Sequence, residues 1–261
     1  MLLFPQIPLL LLGCAAILLF LLARFLRIKN TFMACMTAIS FLVVLVYFFC
    51  EAPILHFLDE LFPGFTIAVA DMTTSGMFAS NDPGASLICS VACGLFCLIA
   101  LYSAEYLKNE SRQQAFYSLL MLMLCGFIGM LFTDNLMIVY LFCELTSICA
   151  YTLVAFKRKE DTAIEAGFKY LIMGSVASVV LLMGIALLFQ DTGTVQISQI
   201  MASGGLLSQI GSIMILVSFS LKSAFVPMHA WLPDAHRTAP SNISAILSGV
   251  LVQGFFYTML L

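Results

Sequence analysis

The chain has 261 residues, 62% of them hydrophobic and only 10% charged, with a net charge of −3. Soluble domains carry about 25% charged residues, so this chain has too little polar surface to cover a water-soluble globule. The slight negative charge leaves no basic footprint for nucleic acid.

Apolar stretches of about 18 residues or more read as membrane-spanning helices. They recur about eight times, near 5–26, 31–50, 84–106, 114–132, 135–156, 166–189, 206–230 and 243–261. The pattern predicts an all-α membrane protein, since a β-barrel would show alternating segments of about ten residues. The first stretch lacks a basic start, and its charges (Arg24, Arg27, Lys29) follow the apolar run. It is therefore expected to be a retained helix rather than a cleaved signal.

The segment from Glu51 to Pro83 carries Glu51, Asp59, Glu60, Asp71 and Asp82. Within it, "APILHFLDELF" is expected to form a short interfacial helix, "FTIAVA" and "GMFAS" short strands, and "NDPG" a turn. His56 has no partner cluster for a metal, so a solvated loop histidine is the expectation. Cys89, Cys93 and Cys97 recur every four residues and share one helix face. With no fourth ligand nearby, they are expected to pack as small apolar side chains. In the sixth stretch Gly174, Ser175, Ala177 and Ser178 are small, which permits close helix packing.

Nine of the 11 Lys and Arg residues lie outside the spans or at their ends. Arg24, Arg27 and Lys29 follow the first span, Lys108 and Arg112 the third, Lys157, Arg158 and Lys159 the fifth, and Arg237 the seventh. The alternate connections hold none. The positive-inside rule then places these nine in the cytoplasm and, with eight spans, both termini outside the cell membrane.

Away from the span ends, three Lys, Arg, Asp or Glu residues fall clearly within spans: Glu144, Lys169 and Lys222. A charge near the bilayer centre costs at least ~3 kcal/mol, so each needs a partner, water or a changed protonation state. Glu144 lies near mid-span, beyond easy snorkelling. Lys169 lies three residues into its span, where anchoring at the interface and a functional role stand as alternatives. Lys222 is the deep one. Pro227 cannot donate its amide and leaves the carbonyl near Ser223 without its usual bond, so a helix break is expected around 222–227. Exposed backbone in a membrane requires protein or water to satisfy it. Two readings follow: a hydrated cavity lined by the break, or a proline kink with Lys222 paired structurally to Glu144. Desolvation disfavours a charged amine and a nearby carboxylate favours it, so a movable acid–amine pair can take up and release protons. His229 and His236 add groups that titrate near neutral pH. For His236 in a loop, plain solvation is the alternative.

At these residues the chain resembles a known family. "YSAEYL" (102–107), "DNLMIVYLFCELTSICAYTLVAF" (134–156), "AGFKYLIMGSVAS" (166–178) and "LKSAFVPMHAWLPDAHRTAPSNISAILSG" (221–249) are similar, in this order, to the antiporter-like proton-translocating membrane subunits. Such subunits occur in respiratory complex I, in multi-subunit Na+/H+ antiporters and in energy-converting hydrogenases and formate hydrogenlyases. The resemblance implies a five-helix repeat, here spans four to eight, with a broken seventh helix. It divides the chain into an N-terminal region, 1–113, and the repeat, 114–261. It implies proton-transfer roles for Glu144, Lys169, Lys222 and His229, with His236 as a further relay or water-binding residue.

Two departures from the family pattern follow. Ser248 and Gln253 stand where a helix-eight lysine or histidine is expected; each can hold water but neither stores a proton. The second, inverted repeat of the family is absent from these 261 residues. The function implied is a membrane subunit of a redox-driven, ion-translocating complex, hydrogenase-like or complex I-like, contributing a proton half-channel. The alternative is a structural half-subunit that scaffolds the complex without pumping. The wording of "AHRTAPSNISAILSG" leans toward hydrogenase-type and antiporter-type members. The implied partners are other membrane subunits, among them a chain supplying the second repeat, and the lipid bilayer. No cofactor or metal is expected: there is no Gly-rich nucleotide loop, cysteine cluster or metal-ligand spacing. Any redox chemistry is expected in partner subunits.

Overall fold

A computed structural model describes residues 11–18, 30–49, 82–108, 112–156, 161–200 and 205–261. Over these residues the chain is all-helical apart from turns and one isolated antiparallel bridge, Asn135 to Gln196. The interfacial helix and strands expected between 51 and 81, with His56, fall outside the described residues, as does most of the first span. Among the described residues, five helices are long and apolar enough to cross a bilayer. This is a multi-pass α-helical membrane protein.

The chain forms two compact units, Met1–Thr133 and Asp134–Leu261. In the first unit, residues 11–18 are helical, followed by α1 (Asn30–Phe49), α2 (Pro83–Tyr106) and α3 (Gln113–Phe132). Asp82 starts α2 by accepting from the Gly84 amide at 3.0 Å, with Pro83 at the first position, where a missing N–H costs nothing. Phe41 and Phe96 join α1 to α2 edge-to-face, 5.6 Å between centroids. Cys89 and Cys93 are buried, and Cys97 donates to the Ala38 carbonyl at 3.6 Å.

The second unit holds α4 (Leu136–Val154), α5 (Asp161–Thr192), a short α6 (Ile197–Ile200), α7 (Leu206–Lys222), α8 (Trp231–Thr238) and α9 (Ser241–Leu260). Asn135 caps α4, accepting from Met137 and Ile138 amides at 3.0 and 3.3 Å. The 32 residues of α5 extend ~48 Å, more than the ~30 Å hydrocarbon core. Its first turns can therefore stand in a polar layer, which suits Asp161, Glu165 and Lys169. Gly193, at φ +69°, ends α5 in the left-handed position that glycine adopts freely.

Close approach sets how α5 meets α7. A Cβ on Gly184 would lie 2.8 Å from the Gly211 carbonyl, and one on Gly211 would lie 2.8 Å from the Gly184 carbonyl. Only a glycine pair lets the two backbones meet there. Ser218 ties the same helices by donating to the Ala177 carbonyl at 2.7 Å. At the N-terminus of α7, Asp191 accepts from the Ser208 amide at 3.2 Å, placing an acid at the positive end of the helix.

Helix α7 stops at Lys222. The Ala224 amide bonds to the Leu221 carbonyl at 3.2 Å and the Phe225 amide to the Ser220 carbonyl at 2.9 Å. These are the two bonds of a Schellman ending, with Ala224 in the left-handed region at φ 54°. Pro227 comes later, exposed, after a cis Val226–Pro227 bond. In α9 a π-helical turn, Leu247–Leu251, interrupts the α pattern.

Candidate functional site

Glu144 sits midway along α4, with Ser147 one turn further on the same face. Lys222 is the last residue of α7 and is 4% exposed. Its Nζ lies 3.2 Å from Glu144 Oε1 and 3.0 Å from Ser147 Oγ. Ser178, from α5, also donates to Glu144 Oε1 and lies 3.0 Å from the Gly174 carbonyl. Three helices thus meet on one acid–amine pair.

Aromatic side chains pack beside Lys222. Lys222 Nζ lies 5.8 Å from the ring centre of Phe255 on α9. Ser147, Tyr151, Tyr170, Trp231 and Phe255 line a closed seam beside Lys222 that has no room for a water molecule. Of the two readings left open by the sequence, both include the pairing of Lys222 with Glu144 that the geometry shows, and the Glu144 side chain is 25% exposed. Trp231 builds the seam from α8. Its Nε1 donates to the Leu221 carbonyl at 3.0 Å, and its ring stacks on Tyr170 at 4.1 Å and 1°. Tyr170 in turn meets Tyr151 edge-on at 4.5 Å.

The other predicted residues lie elsewhere. Lys169 is half exposed and pairs with Glu165 Oε1 at 2.9 Å and Asp234 Oδ2 at 3.0 Å. These three, with Thr162, Arg237 and Thr238, line an open cavity of about 280 Å³. Its bonds are to this cluster rather than to Glu144 or Lys222. His229 and Pro227 are exposed in the turn between α7 and α8. His236 Nδ1 lies 2.6 Å from Ser244 Oγ, and partial burial pushes its pKa below the usual histidine value. Ser248 is exposed and donates to the Ser244 carbonyl at 3.1 Å; Gln253 is also exposed.

Sequence reasoning passed over Ser147, Ser178, Trp231, Glu165 and Asp234. Ser147 was findable, because a hydroxyl one turn from a buried acid faces the same neighbour. Ser178 reads as a packing residue until its contact with Glu144 is seen.

A lysine and a glutamate paired between apolar helices define a class: multi-pass membrane proteins that hold ionisable groups within their helical segments. Residues 133–260 match the family described as "NADH:quinone oxidoreductase/Mrp antiporter, TM". The chain belongs to the antiporter-like membrane subunit family. It is 31% identical over 199 residues to NADH-quinone oxidoreductase subunit N of Herminiimonas arsenicoxydans, covering 71% of this chain and 40% of that protein. It is 28% identical over 164 residues to F(420)H(2) dehydrogenase subunit N of Methanosarcina mazei, covering 60% of this chain and 33% of that one. The fold is similar to a chain of the Mrp complex from Dietzia sp., with TM-score 0.77 and 19% identity over 98% of this chain and 48% of that one. The chain therefore spans two fifths or less of the length of these two curated relatives.

Proposed function

We propose that this chain is a membrane subunit of a redox-driven, complex I-like assembly in the cell membrane, and that residues 114–261 supply a proton half-channel. The observation that carries the reading is the Glu144–Lys222 pair, joined at 3.2 Å where α4, α5 and α7 meet, with the Lys222 side chain 3% exposed and that of Glu144 25%. Burying the Lys222 amine against its acid is often no more stabilising than an apolar core of similar shape, which supports use over mere packing. In the paired state Lys222 holds its proton against Glu144. Moving the end of α7, or changing the charge beside it, weakens that attraction and releases the proton.

Within this reading Lys169, with Glu165 and Asp234, is the exchange point with bulk water near the start of α5, and His229 and His236 are further proton-transfer or relay groups before and within α8. The basic residues after alternate spans support a cytoplasmic setting for this end, with both termini outside. Other membrane subunits are the partners, among them a chain that supplies a second repeat, and electron transfer belongs to those partners.

In the assembled complex in sealed vesicles, Lys222→Ala is expected to abolish proton pumping while assembly stays intact. An unchanged pumping stoichiometry overturns the proposal. A second reading, a scaffold that does not pump, is favoured by Ser248 and Gln253, exposed and without useful titration on α9. It predicts that deleting the chain breaks assembly and that Gln253→Lys changes little. Assembly that survives deletion with only pumping lost defeats it.

A further inference from the structure

Two spaces in the second unit lie one helical turn apart and share the same two helices as walls. The open cavity at Lys169 is bounded by Ala166 of α5 and Asp234 of α8. The seam beside Lys222 is bounded by Tyr170 of α5 and Trp231 of α8, four residues after Ala166 and three before Asp234. The first is open to solvent; the second has no room for a water molecule. Yet the seam is dry because it is filled, not because its walls are apolar. Ser147 and Lys222, hydrogen-bonded at 3.0 Å, form part of it. The filling is aromatic. Trp231 is 3% exposed, stacks on Tyr170 at 4.1 Å and donates from Nε1 to the Leu221 carbonyl at 3.0 Å. Tyr151 fits in because residue 174 is glycine: a Cβ there would overlap the Tyr151 hydroxyl. An indole fills the space of several waters, whose share is ~30 Å³ each, and a water stays where about two to four polar groups hold it. With the indole gone, Lys222, Ser147 and the freed Leu221 carbonyl are such groups.

We infer that Trp231 is a positioning residue that separates the water at Lys169 from the Lys222 amine, and that a swing of α8 off α5 joins the two. The inference rests on the proton half-channel reading of these residues and gives it a moving part. Helix α8 grips α5 twice: by the stacked, buried rings of Trp231 and Tyr170, and one turn on by the exposed Asp234–Lys169 pair, whose partners part easily in water. While the rings stay stacked, Lys222 is cut off from the open cavity. When α8 moves, the hydrogen bond to the Leu221 carbonyl draws on the end of α7, since Leu221 directly precedes Lys222. Opening the seam and shifting the amine are then one motion.

The test uses the assembled complex in sealed vesicles and takes two readings. The first is access. In Ser147→Cys, a small water-soluble thiol reagent is added and the label at position 147 is read by peptide mass spectrometry. The thiolate is the reactive form, so labelling should be slow with Trp231 in place and about tenfold or more faster once Trp231→Ala is added. Trp231→Phe, whose ring still covers Tyr170, should keep it slow. The second reading is coupling, with Ser147 in place. Trp231→Ala should keep electron transfer but lower the protons moved per electron as far as Lys222→Ala does, because the amine is no longer shut off. Trp231→Phe should restore the ratio. If Trp231→Ala does not assemble, Tyr170→Leu opens the stack from α5 and is expected to give the same two results. Equally fast labelling with and without the indole overturns the inference. So does an unchanged ratio in a variant whose position 147 has become reactive, or a parallel fall of electron transfer and pumping, which marks a residue that only supports the fold. Normal pumping in Lys222→Ala sinks the proposed function itself; lost pumping there with normal pumping in Trp231→Ala sinks this inference alone.

Discussion

Two lysine–carboxylate clusters stand in the second unit, built from the same chemistry and differing in solvent. At the deep one, Lys222 has one acid, Glu144, one serine hydroxyl neighbour, Ser147, and a side chain 3% exposed. At the rim, Lys169 has two acids, Glu165 and Asp234, and a side chain 51% exposed. Water screens the rim pair, so each partner there can leave without stranding a charge. In the deep pair each partner depends on the other, because removing one leaves a buried charge alone. The deep cluster is thus suited to coupling a proton to a conformation, and the rim cluster to exchanging one with solvent.

The comparison breaks most visibly at Lys222. Lys222→Ala should destabilise the solubilised protein by about 3–5 kcal/mol at most, the upper end being softened because the Glu144 side chain is 25% exposed. Adding Glu144→Leu to Lys222→Met should recover most of the loss, since two apolar side chains strand nothing. Denaturant unfolding of the single and double variants checks this. Equal losses in both would show that the pair is ordinary packing.

The next effect has the opposite sign. Ala224 ends α7 with φ 54°, a conformation that costs a non-glycine residue about 1–2 kcal/mol. Ala224→Gly relieves that strain and should stabilise the protein by about that amount. Because Lys222 lies two residues earlier, the same change tests whether the stiffness of this helix end matters for coupling: a stabler variant with slower pumping sharpens the contrast with the rim.

These effects also show what the sequence could and could not disclose. The all-α membrane class was legible, because apolar length and scarce charge leave no other way to satisfy the backbone. Glu144 and Lys222 stood out by the cost of charge in a bilayer, and their pairing was one of the readings left open. The end of α7 was less legible. Pro227 drew attention, but the helix stops at a Schellman turn whose left-handed residue is an alanine, with no glycine to announce it. The rim cluster was illegible in a different way. Lys169 and Asp234 are 65 residues apart, and no periodicity brings α8 back onto α5. Ser178 was visible only as a small residue, because a hydroxyl's role depends on which acceptor it meets.

A smaller effect belongs to α8 beside the rim. His236 is partly buried against Ser244, and its pKa in the folded protein lies below the ordinary value near ~6.5. The unfolded chain therefore binds this proton more readily. Stability from this group is complete above ~6.5 and is lost as pH falls through the folded value. Thermal unfolding from neutral to mildly acidic pH should show this slope, and His236→Asn should flatten it. An unchanged slope would assign the acid sensitivity elsewhere.

The smallest change in stability is expected at Lys169. Its pairs with Glu165 and Asp234 are exposed, so water replaces them when Lys169→Ala removes the amine. Unfolding should be indistinguishable from the native protein. If the rim is nonetheless the exchange point with bulk water, proton uptake by the assembled complex should slow, and added buffer that carries protons should restore the rate. Slowed uptake without lost stability would separate transport from structure at this cluster. Unchanged uptake would make Lys169 an anchor at the membrane surface and leave the deep pair as the one functional amine on these helices.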